Sequence, residues 1–249
     1  MTKLQVVEKA KNLYNADANI SIYVADLGAY VSGSLRGKWV SLPLAEEDLE
    51  DLYNMAEELA IHDYECDFMD ISEYASIREL NELALEIEEF DTIELEAFKS
   101  YLREVEEDVT EALNIIRSND YTIYFNCDTM QDVAMEYIDM IGGVNQVSNS
   151  QYYFDAESFG RDMDLSGYNP YMSCGCYQDD CEDCQEAIRM QEDGEIDYTE
   201  IAEEMHEEGL ISNEDLERYF DYESFGRDLE LDGYSRFVFS NNGHCFEFH

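Results

Sequence analysis

YYFDAESFGRDMDLSGYN, residues 152–169, returns as RYFDYESFGRDLELDGYS, residues 218–235. The offset is 66 residues, and twelve of the eighteen positions are identical. Each copy follows a stretch of helical period with acidic outer positions, 130–141 and 198–208. The pattern reads as duplication of one helix–loop–helix unit, too short a series for a solenoid. Phe154, Phe159, Phe220 and Phe225 are read as core, with Tyr153 and Tyr219 packed beside them. Arg161 and Arg227 are rare cations. Each adjoins an aspartate, Asp162 or Asp228, and lies four residues after Glu157 or Glu223. They read either as partners in a local helix salt bridge, worth little when exposed, or as a structural clamp orienting the motif helix or a dimer surface. Asp155, Gly160, Asp221 and Gly226 complete the repeated string.

Outward from the repeat, short elements of both kinds alternate. Residues 4–15 read as an amphipathic helix. ISIYVADL at 20–27 and KWVSLP at 38–43 have strand composition, and Gly28, Gly33 and Gly37 mark turns. Residues 45–60 read as a helix with Leu49, Leu52, Met55, Ala56 and Leu59 on its apolar stripe, and 61–68 as a third strand. From Ser72 to Arg117 the period is helical. One stripe carries Ile77, Leu80, Leu83, Ala84 and Ile87; a longer run carries Leu95, Phe98, Leu102, Val105, Val109 and Leu113 or Ile116. YTIYFNC at 121–127 is strand-like, 130–143 is a helix closed by Gly142 and Gly143, and RFVFSNNGHCFEFH reads as a β-hairpin. The expectation is an α+β protein, an elongated chain of small α+β and helical modules. Its parts are 1–69, an acidic helical part 70–117, and 118–249 with a cysteine-rich insert at about 170–197.

Charge separates this chain from ordinary proteins. Sixty Asp and Glu face fourteen Lys and Arg, a formal net of −46 over 249 residues. Roughly 2–8 units suffice to keep a small domain soluble, and self-repulsion on this scale works against compactness. The chain is nonetheless 45% hydrophobic and 13% aromatic, unlike acidic disordered segments. The surface is therefore read as a feature that an outside partner recognises. Salt adaptation and calcium buffering are the bland alternatives. An anionic membrane or a nucleic acid would be repelled, so basic surfaces are the expected partners. Neither an apolar signal-type region nor a run of ~18 apolar residues occurs, and a cytoplasmic protein is expected.

The acids that would meet such a partner are Glu86, Glu88, Glu89, Asp91, Glu94, Glu96, Glu104, Glu106, Glu107, Asp108 and Glu111. They fill the outer positions of the 72–117 helices. Few basic residues interleave with them, so the i, i+4 pairs that would add ~0.2–0.5 kcal/mol each are largely forgone.

Cys174, Cys176, Cys181 and Cys184 form C-x-C-x4-C-x2-C, a set of four thiols suited to tetrahedral zinc. Structural zinc is the preferred reading over four free thiols, and four protein ligands leave no open position for catalysis. Asp228-Leu-Glu230-Leu-Asp232-Gly233 opens like a calcium loop, but Phe239 occupies the position that needs a bidentate Glu, which excludes an EF-hand. No G-x-S-x-G, phosphate-binding glycine loop or H-E-x-x-H is present, and the four histidines share no ligand spacing. A non-enzymatic protein that requires no cofactor is expected.

IYVADLGAYVSGSLRGKWVSLP (22–43), AIHDYE (60–65), the acidic helices and YFDYESFGRDLELDGY (219–234) together resemble the ArdA-type antirestriction proteins. The resemblance runs from about Ile20 to Tyr168 and again from about Tyr198 to the end. It implies a DNA mimic that mobile elements and phages use against type I restriction-modification enzymes, binding their methyltransferase and specificity subunits. It also implies an elongated three-part chain, shaped like a curved acidic rod, that forms a homodimer through its C-terminal part. The extra N-terminal helix, the second signature copy and the cysteine-rich insert depart from that pattern. The other functional classes considered are an acidic binding module for another basic DNA-binding or defence protein and a zinc-dependent regulatory protein.

Overall fold

The computed structural model describes residues 13–34, 36–106, 108–172 and 181–249. The N-terminal helix expected at 4–15 falls almost wholly outside the described residues, as do Glu107, Cys174 and Cys176. The fold is α+β, and the chain forms two compact units. One is Met1–Thr122 with Phe248–His249; the other is Ile123–Glu247.

The first unit is organised on β1 (Ile20–Asp26), where Ile20, Ile22, Val24 and Ala25 are fully buried. β1 is the centre of an antiparallel sheet of order β2–β1–β3, with β2 (Gly37–Leu42) and β3 (Leu59–Glu65) as its edges. Ile20 pairs with Leu42 and Asp26 with Leu59, and the β3 register slips between Tyr23 and Val24. The Asp26 carboxylate then accepts from Ala29 N and starts the one-turn α1 (Leu27–Val31), where turns alone were expected. Gly37 is required by close packing: a Cβ there would lie 2.7 Å from the Val24 carbonyl oxygen.

The helix expected over 45–60 is shorter. α2 (Glu46–Tyr53) stops at Asn54, and of the expected stripe only Leu49 and Leu52 are buried. Leu59 and Ala60 pair instead with Asp26 and Ala25. The strand partner outweighs the local helical pattern, as context generally does. α3 (Ile77–Ile87) buries all five expected stripe residues. It also buries Asn81, which accepts from Leu44 N at 2.6 Å and donates to Leu44 O at 3.2 Å. That pair fastens the segment after β2 to the helix. The remaining helical run is broken in two, α4 (Thr92–Glu104) and α5 (Val109–Ser118), because Asp108 accepts from Thr110 N and Glu111 N and opens a new helix.

The second unit has a sheet of order β4–β6–β5, with β4 (Tyr121–Phe125), β5 (Arg236–Phe239) and β6 (His244–Phe248). β5 and β6 form the expected hairpin, closed by Ser240 N donating to His244 O at 2.8 Å. Tyr124, Cys127, Val133 and Cys245 share one core cluster. Burial, ahead of nearby carboxylates and the other thiol, pushes Cys127 up to about 11 and Cys245 up to about 12. Both therefore act as small apolar groups.

Five helices complete this unit after α6 (Met130–Ile141): α7 (Ala156–Leu165), α8 (Glu182–Glu192), α9 (Tyr198–Glu207), α10 (Asn213–Arg218) and α11 (Tyr222–Leu231). α8 and α10 were not expected. α8 buries Cys184 and Ala187, and the Asn169 amide donates to Ala187 O at 2.8 Å, joining the end of the first motif copy to the insert.

Candidate functional site

The acids of the first unit divide into two kinds. Asp91 accepts from Ile93 N and Glu94 N at 2.8 and 2.9 Å, and Glu94 Oε2 accepts from Asp91 N at 2.9 Å. This capping box starts α4. Asp108 caps α5. Glu86 meets Arg117 at 2.8 Å, and Glu96 is half-buried with Oε1 sealed from solvent and unpaired. These carboxylates serve the fold. Glu88, Glu89, Glu104 and Glu111 are exposed. Burial, followed by Glu111, Glu106 and Asp108, holds the Tyr101 phenol above its ordinary range, so that ring marks a locally negative field. Cations that could neutralise this face are engaged elsewhere: Lys99 meets Asp67 at 3.1 Å and sits 5.4 Å from the Phe68 ring centre, and Arg78 meets Glu46 at 3.2 Å.

The density of charge is higher in the second unit. Residues 123–247 hold 31 Asp and Glu against five Arg and no Lys, a net of −26. Residues 1–122 hold 29 against nine, a net of −20. The outer faces of α9 and α11 carry Glu200, Glu203, Glu204, Glu207, Glu223 and Glu230, all exposed. The sequence reading placed its acidic surface on the 86–111 helices alone. Counting charge along the chain would have extended it.

The repeated string builds a paired structure. Phe154 and Phe220 form an antiparallel bridge, with Asp155 N donating to Tyr219 O at 2.8 Å and Asp221 N donating to Tyr153 O at 2.7 Å. Tyr153 donates its hydroxyl to Asp228 at 2.9 Å, and Tyr219 donates to Asp162 at 2.6 Å. The Tyr153 ring meets Phe225 at 5.1 Å and 74°, and the Tyr219 ring meets Phe159 at 5.1 Å and 77°. Each contact has a counterpart displaced by the 66-residue offset, so the two copies are related by an approximate two-fold axis. Phe220 and Phe225 are buried, but Phe154 and Phe159 are only half-buried, so the aromatic core expected of both copies is complete in the second alone.

Within each copy an aspartate caps the motif helix. Asp155 accepts from Ser158 N at 2.9 Å, and Asp221 accepts from Ser224 N at 3.0 Å. The Ser158 hydroxyl and amide lower the Asp155 carboxyl, with Arg161 assisting, against burial and the opposing Asp221 charge. Ser224 does the same for Asp221, with Arg227 assisting. Arg161 and Arg227 reach the Ser158 and Ser224 hydroxyls at 3.3 and 2.9 Å. The arginines thus brace the start of their own helices. Glu157 and Glu223 lie in the first turns, where negative charge suits the helix dipole. Gly160 and Gly226 let another backbone approach. A Cβ on Gly160 would stand 2.6 Å from Tyr198 O, and one on Gly226 would stand 2.7 Å from Met130 C, with Met130 O closer still.

Of the expected zinc ligands, two lie within the described residues. Cys181 caps α8, its sulfur accepting from Cys184 N at 3.3 Å, and Cys184 is buried three residues on. Two thiols on one helical turn suit half of a four-thiolate site; Cys174 and Cys176 are outside the described residues. Among the described residues no three His, Cys, Asp or Glu side chains group as a metal site, and no helix is long and apolar enough to cross a membrane.

A family model, "Antirestriction protein (ArdA)", matches residues 22–178 and again residues 169–245. The second match covers the second motif copy. Among curated proteins none matches the chain. With the family match spanning most of its length and its repeated string counted twice by that match, the chain belongs to the ArdA family of antirestriction proteins.

Proposed function

We propose that this protein inhibits type I restriction-modification enzymes without catalysis, as a DNA mimic in the DNA-binding groove of the methyltransferase and specificity complex. The observation that carries this reading is a surplus of outward carboxylates beyond those used as caps and ion pairs, on a chain of net charge −46. Duplex DNA offers one charge per ~1.7 Å of axis. Neighbours at i, i+3 and i+4 on a helix lie ~5–6 Å apart, so acidic helices offer the same sign at lower density. Lysines and arginines that meet phosphates would meet these carboxylates instead. Such a target lies in the cytoplasm. A homodimer, which the resemblance implies, would have to use a surface outside the paired motifs, because Phe154 and Phe220 already bridge each other.

The test is competition. The protein should displace a DNA duplex carrying the recognition site from a purified type I methyltransferase at low salt, and leave unrelated DNA-binding proteins bound to DNA. Equal displacement from every basic protein tried would replace this reading with that of a general acidic binding module.

A further inference from the structure

The helix that precedes each motif copy in sequence does not pack on that copy. α6 precedes the first copy but packs on α11, the motif helix of the second, with Met130 O against Gly226. α9 precedes the second copy but packs on α7, the motif helix of the first, with Tyr198 O against Gly160. The two helix–loop–helix units are exchanged crosswise, and the Phe154–Phe220 bridge lies between them.

This exchange is reciprocal in detail. The tyrosine of each copy bonds the aspartate that ends the FGRD string of the other, Tyr153 with Asp228 and Tyr219 with Asp162. Both motif glycines are used by the helix that comes from the other unit. A single unit therefore holds a cover helix with no motif helix of its own to cover. Two identical units on separate chains would complete each other through the same contacts, since the arrangement is isologous.

We propose that the second motif copy acts as a built-in partner. The chain makes within itself the crosswise pair that a one-copy chain would form only with a second copy of itself. The motif face is thereby closed to self-association in the full-length protein. This rests on the packing alone and is independent of the antirestriction reading.

Two measurements test it. Full-length protein is unfolded as a mixture of isotope-labelled and unlabelled chains, refolded together, and studied by isotope-filtered NMR. The Tyr153–Phe225 and Tyr219–Phe159 ring contacts are expected only within a chain; the same contacts seen between labelled and unlabelled chains would overturn the proposal. In the second, a protease site is inserted within 173–180 of the full-length protein and cut in the folded state. The two fragments should stay together at the mass of one chain. After separation in urea, the fragment with the first copy should refold at twice its own mass, with α6 and α7 amides protected from exchange. Addition of the other fragment should convert it to a one-to-one complex. Fragments that part on cutting, a first-copy fragment that is monomeric with α6 and α7 protected, or one that never protects them, would each overturn the proposal.

Discussion

Phe225 and Phe220 are 8% and 7% exposed, whereas Phe159 and Phe154, at the same places in the first copy, are only half-buried. The strings around them are nearly the same; the covers are not. α6 brings Val133, Ala134 and Ile138 into the interior, and Ala134 and Ile138 join Val144, Val147, Phe220 and Phe225 in one cluster. α9 buries Ala202 alone, and its His206 ring stacks on Phe154 at 4.9 Å. An identical motif thus fixes the local features, namely the cap, the arginine brace and the bridging strand. The helix received from the other unit decides how much apolar surface leaves water, and burial of that surface carries most of the stability.

The sharpest way to break this comparison is to truncate the paired rings. Phe225→Ala should cost ~3–5 kcal/mol in chemical denaturation, the range for a buried Phe. Phe159→Ala should cost about half as much, because part of its ring already meets water. Equal costs would mean that the first copy has a hidden core and that exposure misleads. The glycines give the next effect. Gly226→Ala and Gly160→Ala each force a Cβ into a neighbouring backbone, at a typical overpacking cost of ~1–3 kcal/mol. Gly226→Ala should lower the thermal midpoint more, since its approach to Met130 is the closer. A reversed order would show that α6 yields more readily than α9.

How far these features could be read from residues depends on their range. The duplication, the sheet around Ile20–Asp26 and the five-residue stripe of α3 are legible because period and composition act locally. The break before α5 had a signal, Asp108 with Glu111 three residues later, but the apolar spacing through Val105 and Val109 ran across it. The premature end of α2 had none that outweighed its stripe, since the cause is a strand partner more than thirty residues away. The crosswise packing is the clearest case. Gly160 and Gly226 stand in the string as plain letters, and nothing in either copy says which helix comes to lie against them. The acidic surface was legible in sum and illegible in detail, because capping by Asp91, Glu94 and Asp108 uses the same side chains that a partner would meet.

The caps respond to pH with a sign that the pair makes testable. The Asp155 and Asp221 carboxyls are lowered from 3.8 in the folded state. A lowered carboxyl contributes stability that is present above its unfolded value and is lost as pH falls through the folded one. Tyr153 and Tyr219 are raised from 10.0, the first by burial and the Asp228 bond, the second chiefly by the Asp162 bond. Their contribution is present below 10 and lost as pH rises beyond it. Asp155→Asn with Asp221→Asn keeps capping oxygens but removes the titration. The difference in thermal midpoint between wild type and this double variant should therefore shrink as pH is lowered from 5 toward 3. Single Asp→Ala caps should cost ~1 kcal/mol each near neutrality. A difference that stays constant through the acid range would mean that the serine and arginine contacts do not favour the charged carboxylate.

The smallest effect expected is that of any one outward acid on inhibition. Glu88, Glu104 and Glu111 each stand in solvent, where an ion pair with a partner is screened and worth ~1 kcal/mol or less. Replacing one of them with Gln should change the inhibitory concentration by less than about fivefold. Asp91→Asn and Asp108→Asn should behave alike for a different reason, since Asn still caps. Combined replacement of Glu88, Glu89, Glu104 and Glu111 should weaken inhibition stepwise, and matched sets on α9 and α11 should weaken it at least as much if the second unit's greater charge meets the target. Added salt should flatten all of these differences, measured by direct binding to the methyltransferase because competition also reports the weakening of DNA. A single Glu104→Gln that abolished inhibition with the fold intact would replace a distributed surface with one decisive contact.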